Sequence, residues 1–242
     1  MTTSYVFARN DESLPPIVYV TRFDNVHKRV ETRMDLRRFV RFLTEAGETP
    51  VGKNSDWRFD VIADSRRGLV LYLASPLFEE PSFQAKLPAR VRGKRWMKVD
   101  LAEALAQGVG PTSQLLDYLP GLGSPLGYFK ALSNRASPEK VERIGGVDAQ
   151  RYAETVDLHP YVGKLPRFLD KIVASSSSKM DALVWIDRSS SVRRIRLTSK
   201  PIRSAGGAVM IGTTDLRDLG GSISITLPPA SEVFDAAALG NG

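Results

Sequence analysis

Two histidines, a glycine-rich turn and one pair of neighbouring aspartates are the groups in this chain that could do chemistry, and cysteine is absent altogether. The absence of cysteine excludes thiolate nucleophiles, thiolate metal sites and disulfides, while leaving the redox compartment open. His27 and His159 lie far apart, and His159 sits between Asp157 and Pro160. A metal centre needs more converging donors than Asp-x-His supplies, so both histidines are expected to be structural or surface residues, with no metal bound. A serine hydrolase needs a histidine base, and no G-x-S-x-G elbow accompanies either one.

The stretch PGLGSPLG at 120–127 has the glycines of a phosphate cradle but lacks the preceding strand and the lysine and serine at the required spacing. It reads as a connection between helices. Asp215 and Asp218, in TTDLRDLG, fall in an expected turn between strands, where aspartate serves backbone hydrogen bonds more often than acid–base catalysis. No catalytic residue and no cofactor is expected, and the chain reads as non-enzymatic.

The charge balance points to a partner instead. With 34 Lys and Arg against 27 Asp and Glu the net charge is +7, which favours an anionic membrane surface or nucleic acid through long-range attraction. The basic stretches HKRVETRMDLRR and VRRIR lie on expected strands without the interleaved aromatic residues on which single-stranded nucleic acid stacks. Arg194 and Arg196 share a face, alternating with Ile195 and Leu197. That pattern is a solvated outer face, with attraction of anionic lipid headgroups as its functional role and nucleic acid not expected as a partner.

The elements that must position these groups are mostly strands. At 242 residues with 42% apolar content, the chain can bury about 70–75% of its unfolded surface. It reads as one domain over 1–242, with 1–16 and 236–242 as flexible ends. The longest apolar run falls far short of the ~20 residues that span a bilayer, and the N-terminus lacks the basic start and apolar stretch of a signal peptide. Strands are expected in IVYVTRF and HKRVETRMDL, the latter with Val30, Thr32 and Met34 on one face, and in WRFDVIAD, LVLYLAS and RWMKVDL. The segment 37–45 fits a helical stripe or a third strand. Further strands are KVERI and VDAQRYAETVDL across Gly145-Gly146, then DALVWID and VRRIRL across RSSS, then AVMIGTT and SISITLPP as a last hairpin. SISIT shows the clearest alternation, with Ile223, Ile225 and Leu227 opposite Ser222, Ser224 and Thr226.

Midway the period changes to helical. Thr112 can cap a helix carrying Leu115 and Leu119, and Ser124-Pro125 starts a second with Leu126, Phe129 and Leu132. A third helix over 165–174 carries Leu165, Phe168, Leu169 and Ile172 on one face. The sum is an α+β fold, a single curved antiparallel sheet of about nine strands with helices packed on its concave face. Space between those layers would admit a ligand, lined by the nine apolar helix residues just named, though such stripes also make ordinary core contacts.

The order GKRWMKVDL, SPLGYFKAL, VERIGGVDAQRYAETVDL, DALVWIDRSSSVRRIRL and IGTTDLRDLGGSISITLPPASEVFD resembles the actinobacterial cell-envelope lipoproteins of the LppX/LprG type, over roughly residues 29–235. The resemblance implies the half-barrel fold of the periplasmic lipoprotein carrier LolA and an apolar cavity for the acyl chains of lipids or glycolipids. It also implies an extracytoplasmic location in the envelope, with an N-terminal lipid anchor. Members carry a signal peptide and a lipidated cysteine; a chain beginning after that cysteine would show neither. The alternative is a regulatory or scaffold module on the same fold, packed solid and binding an envelope protein at an edge or face.

Overall fold

The structure, a computed structural model, describes residues 1–9, 12–13, 16–38, 41, 57–85, 87–106, 136–161, 178–202 and 207–239. In chain order their strands are β1 (Thr2–Arg9), β2 (Glu12–Ser13), β3 (Ile17–Asp24), β4 (Arg29–Asp35), β5 (Arg58–Asp64), β6 (Val70–Ala74) and β7 (Trp96–Asp100). After these come β8 (Ser137–Ile144), β9 (Val147–Asp157), β10 (Lys179–Asp187), β11 (Val192–Ser199), β12 (Val209–Asp215) and β13 (Val233–Asp235). Two short helices, α1 (Pro81–Gln84) and α2 (Leu101–Ala106), flank β7 in sequence. The chain is mostly antiparallel β-structure. It divides into two compact units, Met1–Val18 with Leu116–Gly221, and Tyr19–Leu115 with Ser222–Gly242.

In the first unit the strands run in the order β1-β12-β11-β10-β9-β8, with β2 beside β1. The β8–β9 turn is Gly145-Gly146, with φ of +58° and +87°, the left-handed pair that a two-residue hairpin turn requires. The β10–β11 turn has no glycine. There the buried Asp187 carboxylate accepts from the Ser189 and Ser191 amides at 2.9 Å each and from the Arg193 guanidinium at 2.6 Å, which holds Ser190 at φ 61°. Across the strands, Val156, Met180, Ser199 and Met210 fall in one row, and Tyr152, Val184 and Ile195 in another on the same face. Met180 and Met210 are wholly buried. The only polar group in the first row, Ser199, accepts from the Met210 amide at 2.9 Å.

The second unit has the order β13-β7-β6-β5-β4-β3. Val30, Thr32 and Met34 share a face, as their spacing predicts, and stand opposite Ala63, Val61 and Phe59. The row continues from Thr32 and Val61 through Leu73 and Met97 to Phe234. The hydroxyls of Thr21 and Thr32, both buried, satisfy each other at 3.2 Å. The opposite face carries Glu31, Ile62, Tyr72, Lys98 and Asp235 in register.

Several expectations change. SISIT forms no strand, although its burial still alternates around Ile225, which is 1% exposed. The last hairpin does not form because β12 already has two neighbours: β1 from Thr2↔Asp215 to Ala8↔Val209, and β11. The same pairing makes residues 2–9, expected within a flexible end, a strand. The terminal Ala236–Leu239 forms a 3₁₀ turn. β13 runs parallel to β7, the one parallel pair among the described pairs. The proline-rich stretch after β6 is a chain of short helical turns, in which Phe78 of the 3₁₀ turn Pro76–Glu79 stacks on Phe83 of α1 at 5.2 Å. Of the ambiguous segment 37–45, Arg37 and Arg38 are helical and the rest lies mostly outside the described residues.

Phe234 is 2% exposed and closes a cluster with Leu87 and Val91. Replacing it with alanine is expected to lower the unfolding free energy by about 3–5 kcal/mol, measured by urea titration, because the cavity is framed by two short segments that cannot collapse together cheaply.

Candidate functional site

The histidines resolve into turn chemistry. In TRFDNVHK, Asp24 ends β3, and its Oδ1 accepts the His27 amide at 2.9 Å while Oδ2 lies 2.7 Å from His27 Nδ1. Two backbone donors, first His27 and then Ile225, hold the Asp24 pKa down to about 2. An ionised carboxylate only accepts, so Nδ1 is the protonated nitrogen. In the other unit, the exposed His159 gives its amide to Asp157 Oδ1 at 2.9 Å, again a strand-end aspartate capping the residues that follow. Asp215 and Asp218 also take separate roles. Asp215 receives the Arg194 guanidinium at 2.9 Å, and Asp218 turns the chain at φ 52°. Among the described residues, no three His, Asp or Glu side chains gather as a metal site.

The structure adds a clamp that alternation alone could not reveal. The Asp24 carboxylate accepts the Ile225 amide at 3.0 Å, and the Arg29 guanidinium donates to the Ile225 carbonyl at 2.5 Å. Arg29 also donates to Asp64 at 3.2 Å, and Asp64 in turn receives Arg66 at 2.7 Å. Arg66, with help from Arg29, brings the Asp64 pKa to about 2. Both backbone groups of Ile225 are thus satisfied by side chains at the end of the β3–β4 hairpin, which replaces the strand pairing expected for SISIT.

A cleft of about 220 Å³ lies between the β8–β9 turn and the residues after β12, with Ile144, Val147 and Leu216 among its lining residues. Its rim charges are partly spent, since Arg193 pairs with Asp187 and Asp215 with Arg194. At that volume it falls below the usual 300–1,000 Å³ of ligand pockets and cannot hold an acyl chain. Beside it, Ile144, Ala149 and Trp185 form a small cluster, and the Trp185 indole donates to Glu142 at 2.6 Å. Lys140, and then that indole, hold the Glu142 pKa down.

Arg194 and Arg196 do share a face, opposite Trp185 and Leu183 respectively. Arg194 lies 5.9 Å from the Trp185 ring centre and is tied to Asp215, so it is not a free cation; Arg196 is exposed. The helix residues Leu115, Leu119, Leu126, Phe129, Leu132, Leu165, Phe168, Leu169 and Ile172 lie outside the described residues. Among the described residues, Val61, Leu71 and Leu73 in one unit and Met180, Ala182 and Met210 in the other are at most 2% exposed, and Glu154 stands in register beside Ala182. LVLYL is apolar or aromatic at every position, so its sequence marks a strand without marking which face is buried.

No family model matches the chain, and no curated protein matches it. Among solved structures, the crystal structure of LprF from Mycobacterium bovis aligns with 94% of this chain and 88% of its own, at 13% identity and a TM-score of 0.42. So low a score transfers neither fold nor function. The reading of this protein therefore rests on its own faces and charges.

Two outcomes follow for the clamp. Arg29→Met, which leaves the Ile225 carbonyl unpaired, is expected to cost about 1–3 kcal/mol and to speed hydrogen exchange at the amides around Ile225. Asp24 and Asp64 both have folded pKa values of about 2, below the ordinary 3.8. Their stabilisation is therefore complete above pH ~4 and lost as pH falls toward 2, and Asp24→Asn should flatten the fall in melting temperature across that window.

Proposed function

We propose that the protein is a non-catalytic binding protein of the cell envelope that takes a lipid or glycolipid by burying its acyl chains between sheet and helices. One observation supports the reading above others: the second unit keeps one sheet face apolar and buried while its charged side chains stand on the other, and the first unit buries Val156, Met180, Ala182 and Met210 on one face, with Glu154 in register beside Ala182. Glu31, Arg33 and Asp60 are linked by ion pairs on the outer face of the second unit, and Lys98 pairs with Asp235 there at 3.4 Å. An apolar face of this kind discriminates only by shape and dryness, and gains ~0.8 kcal/mol for each methylene taken from water. A two-chain lipid would be held without a single charged contact.

In this proposal the curved sheet, the helices on its concave face and the nine apolar helix residues enclose one cavity within one domain, as the resemblance to the LppX/LprG type implies. The location would be extracytoplasmic, with an N-terminal lipid anchor on the native protein. No helix among the described residues is long and apolar enough to cross a membrane.

Native mass spectrometry of the purified protein, repeated after organic extraction, tests the proposal. A stoichiometric adduct of lipid mass is expected, and Phe129→Asp or Phe168→Asp should abolish it while the circular dichroism spectrum stays folded. A clean apo mass that persists after incubation with envelope lipids overturns the proposal in favour of a protein-binding module; unfolding of both variants would make those phenylalanines plain core.

A further inference from the structure

Two hairpin tips meet at one end of the second unit, and together they have the chemistry of a membrane contact. The β3–β4 turn presents Val26 at 86% exposure, and the β5–β6 turn presents Leu69 at 39%. They are adjacent because β4 pairs with β5 from Arg29↔Asp64 onward, and because the amide and hydroxyl of Ser65 both donate to the Lys28 carbonyl, at 3.1 and 2.9 Å. Single exposed apolar residues are ordinary on a protein surface, so Val26 and Leu69 bear on a partner only through the charges that stand beside them.

The charges around them are unbalanced outward. The stretches DNVHKR and DSRRGL carry four Lys and Arg against two Asp. Both carboxylates are turned in: Asp24 is 1% exposed and spent on His27 and Ile225, and Asp64 is 7% exposed and spent on Arg29 and Arg66. Lys28, Arg66 and Arg67 are exposed, and Lys28 and Arg67 have no carboxylate partner among the described residues. The nearest acids on the adjoining element are Asp100, which faces Val70 and caps α2 through the Ala102 and Glu103 amides, and Glu103 itself. They stand beside the β5–β6 tip, where the Leu101 amide donates to the Leu69 carbonyl at 3.1 Å, and Asp100 is occupied by the α2 amides.

We propose that the paired tips dock on an anionic lipid surface, with Val26 and Leu69 entering the headgroup layer and Lys28 and Arg67 contacting lipid phosphates. Apolar residues ringed by cations fit that surface and no neutral one. This goes beyond the cargo reading and does not need it, since the tips are formed by turns and not by the dry face.

The test is co-sedimentation of the full chain with vesicles of phosphatidylglycerol and phosphatidylcholine, and with phosphatidylcholine alone. Binding to the anionic vesicles only, weakening with salt, is expected. Lys28→Glu with Arg67→Glu should weaken it about 25-fold or more, at roughly fivefold per cation lost. Val26→Asp should weaken it at unchanged melting temperature, and Val26→Ser with Lys28→Gln and Arg67→Gln repeats the test in milder form should a charge reversal impair folding. Equal binding to neutral vesicles, binding indifferent to these substitutions, or capture by heparin without any vesicle binding each overturns the proposal. Copurified lipid in the same variants, read by native mass spectrometry, is expected unchanged, so failure of docking and failure of the cargo reading appear in different measurements.

Discussion

A side chain on a strand can point only to one face of the sheet or the other, and a charge left on the buried face would cost more than any single contact returns. That constraint orders most of what is described here. Thr32, Val61, Leu73, Met97 and Phe234 line up on one face of the second unit, while Glu31, Ile62, Tyr72, Lys98 and Asp235 line up on the other. The hydroxyls that do fall on the dry face are closed against each other, as with Thr21 and Thr32, or against a backbone amide, as with Ser199. A protein rich in lysine and arginine can keep such a face only by exporting its charges to the opposite one.

Where strands end, a second device recurs. TRFD-NVHK, VIAD-SRRG and VWID-RSSS each finish a strand on an aspartate that is buried, and each carboxylate accepts the amides of its own turn. Asp64 and Asp187 also take an arginine from close by in the chain. Such aspartates cost little to bury because two or more donors replace the lost water. Asp24 carries the device further, since its remaining oxygen reaches Ile225, almost the whole length of the chain away. The same inward turn of Asp24 and Asp64 leaves Lys28 and Arg67 without a carboxylate partner among the described residues, while Arg29 and Arg66 are held by Asp64.

Much of the fold was legible in the residues. The strands of VDAQRYAETVDL, DALVWID and VRRIRL, the Gly145-Gly146 turn and the shared face of Val30, Thr32 and Met34 follow from period and turn chemistry, which act within a few residues. SISIT shows where such reading stops. Its alternation marks which side of the segment is buried, and Ile225 is buried, but alternation does not say what satisfies the backbone. Here Asp24 and Arg29 do so in place of a neighbouring strand. The helix residues proposed to line a cavity belong to segments outside the described residues, so the candidate site is described from its sheet side alone.

By itself, the sequence determined the mostly β character, the turns at Gly145-Gly146 and RSSS, the sign of the charge and the exclusion of thiol chemistry, because these depend on residue type and on neighbours close in the chain. Only the tertiary structure decided that β12 pairs with β1 instead of the segment following it, that β13 runs parallel to β7, that Arg194 is spent on Asp215 and that two hairpin tips stand side by side. Each of those is a competition between partners distant in sequence, and it is settled by which backbone edge or carboxylate is still unpaired when the chain folds back.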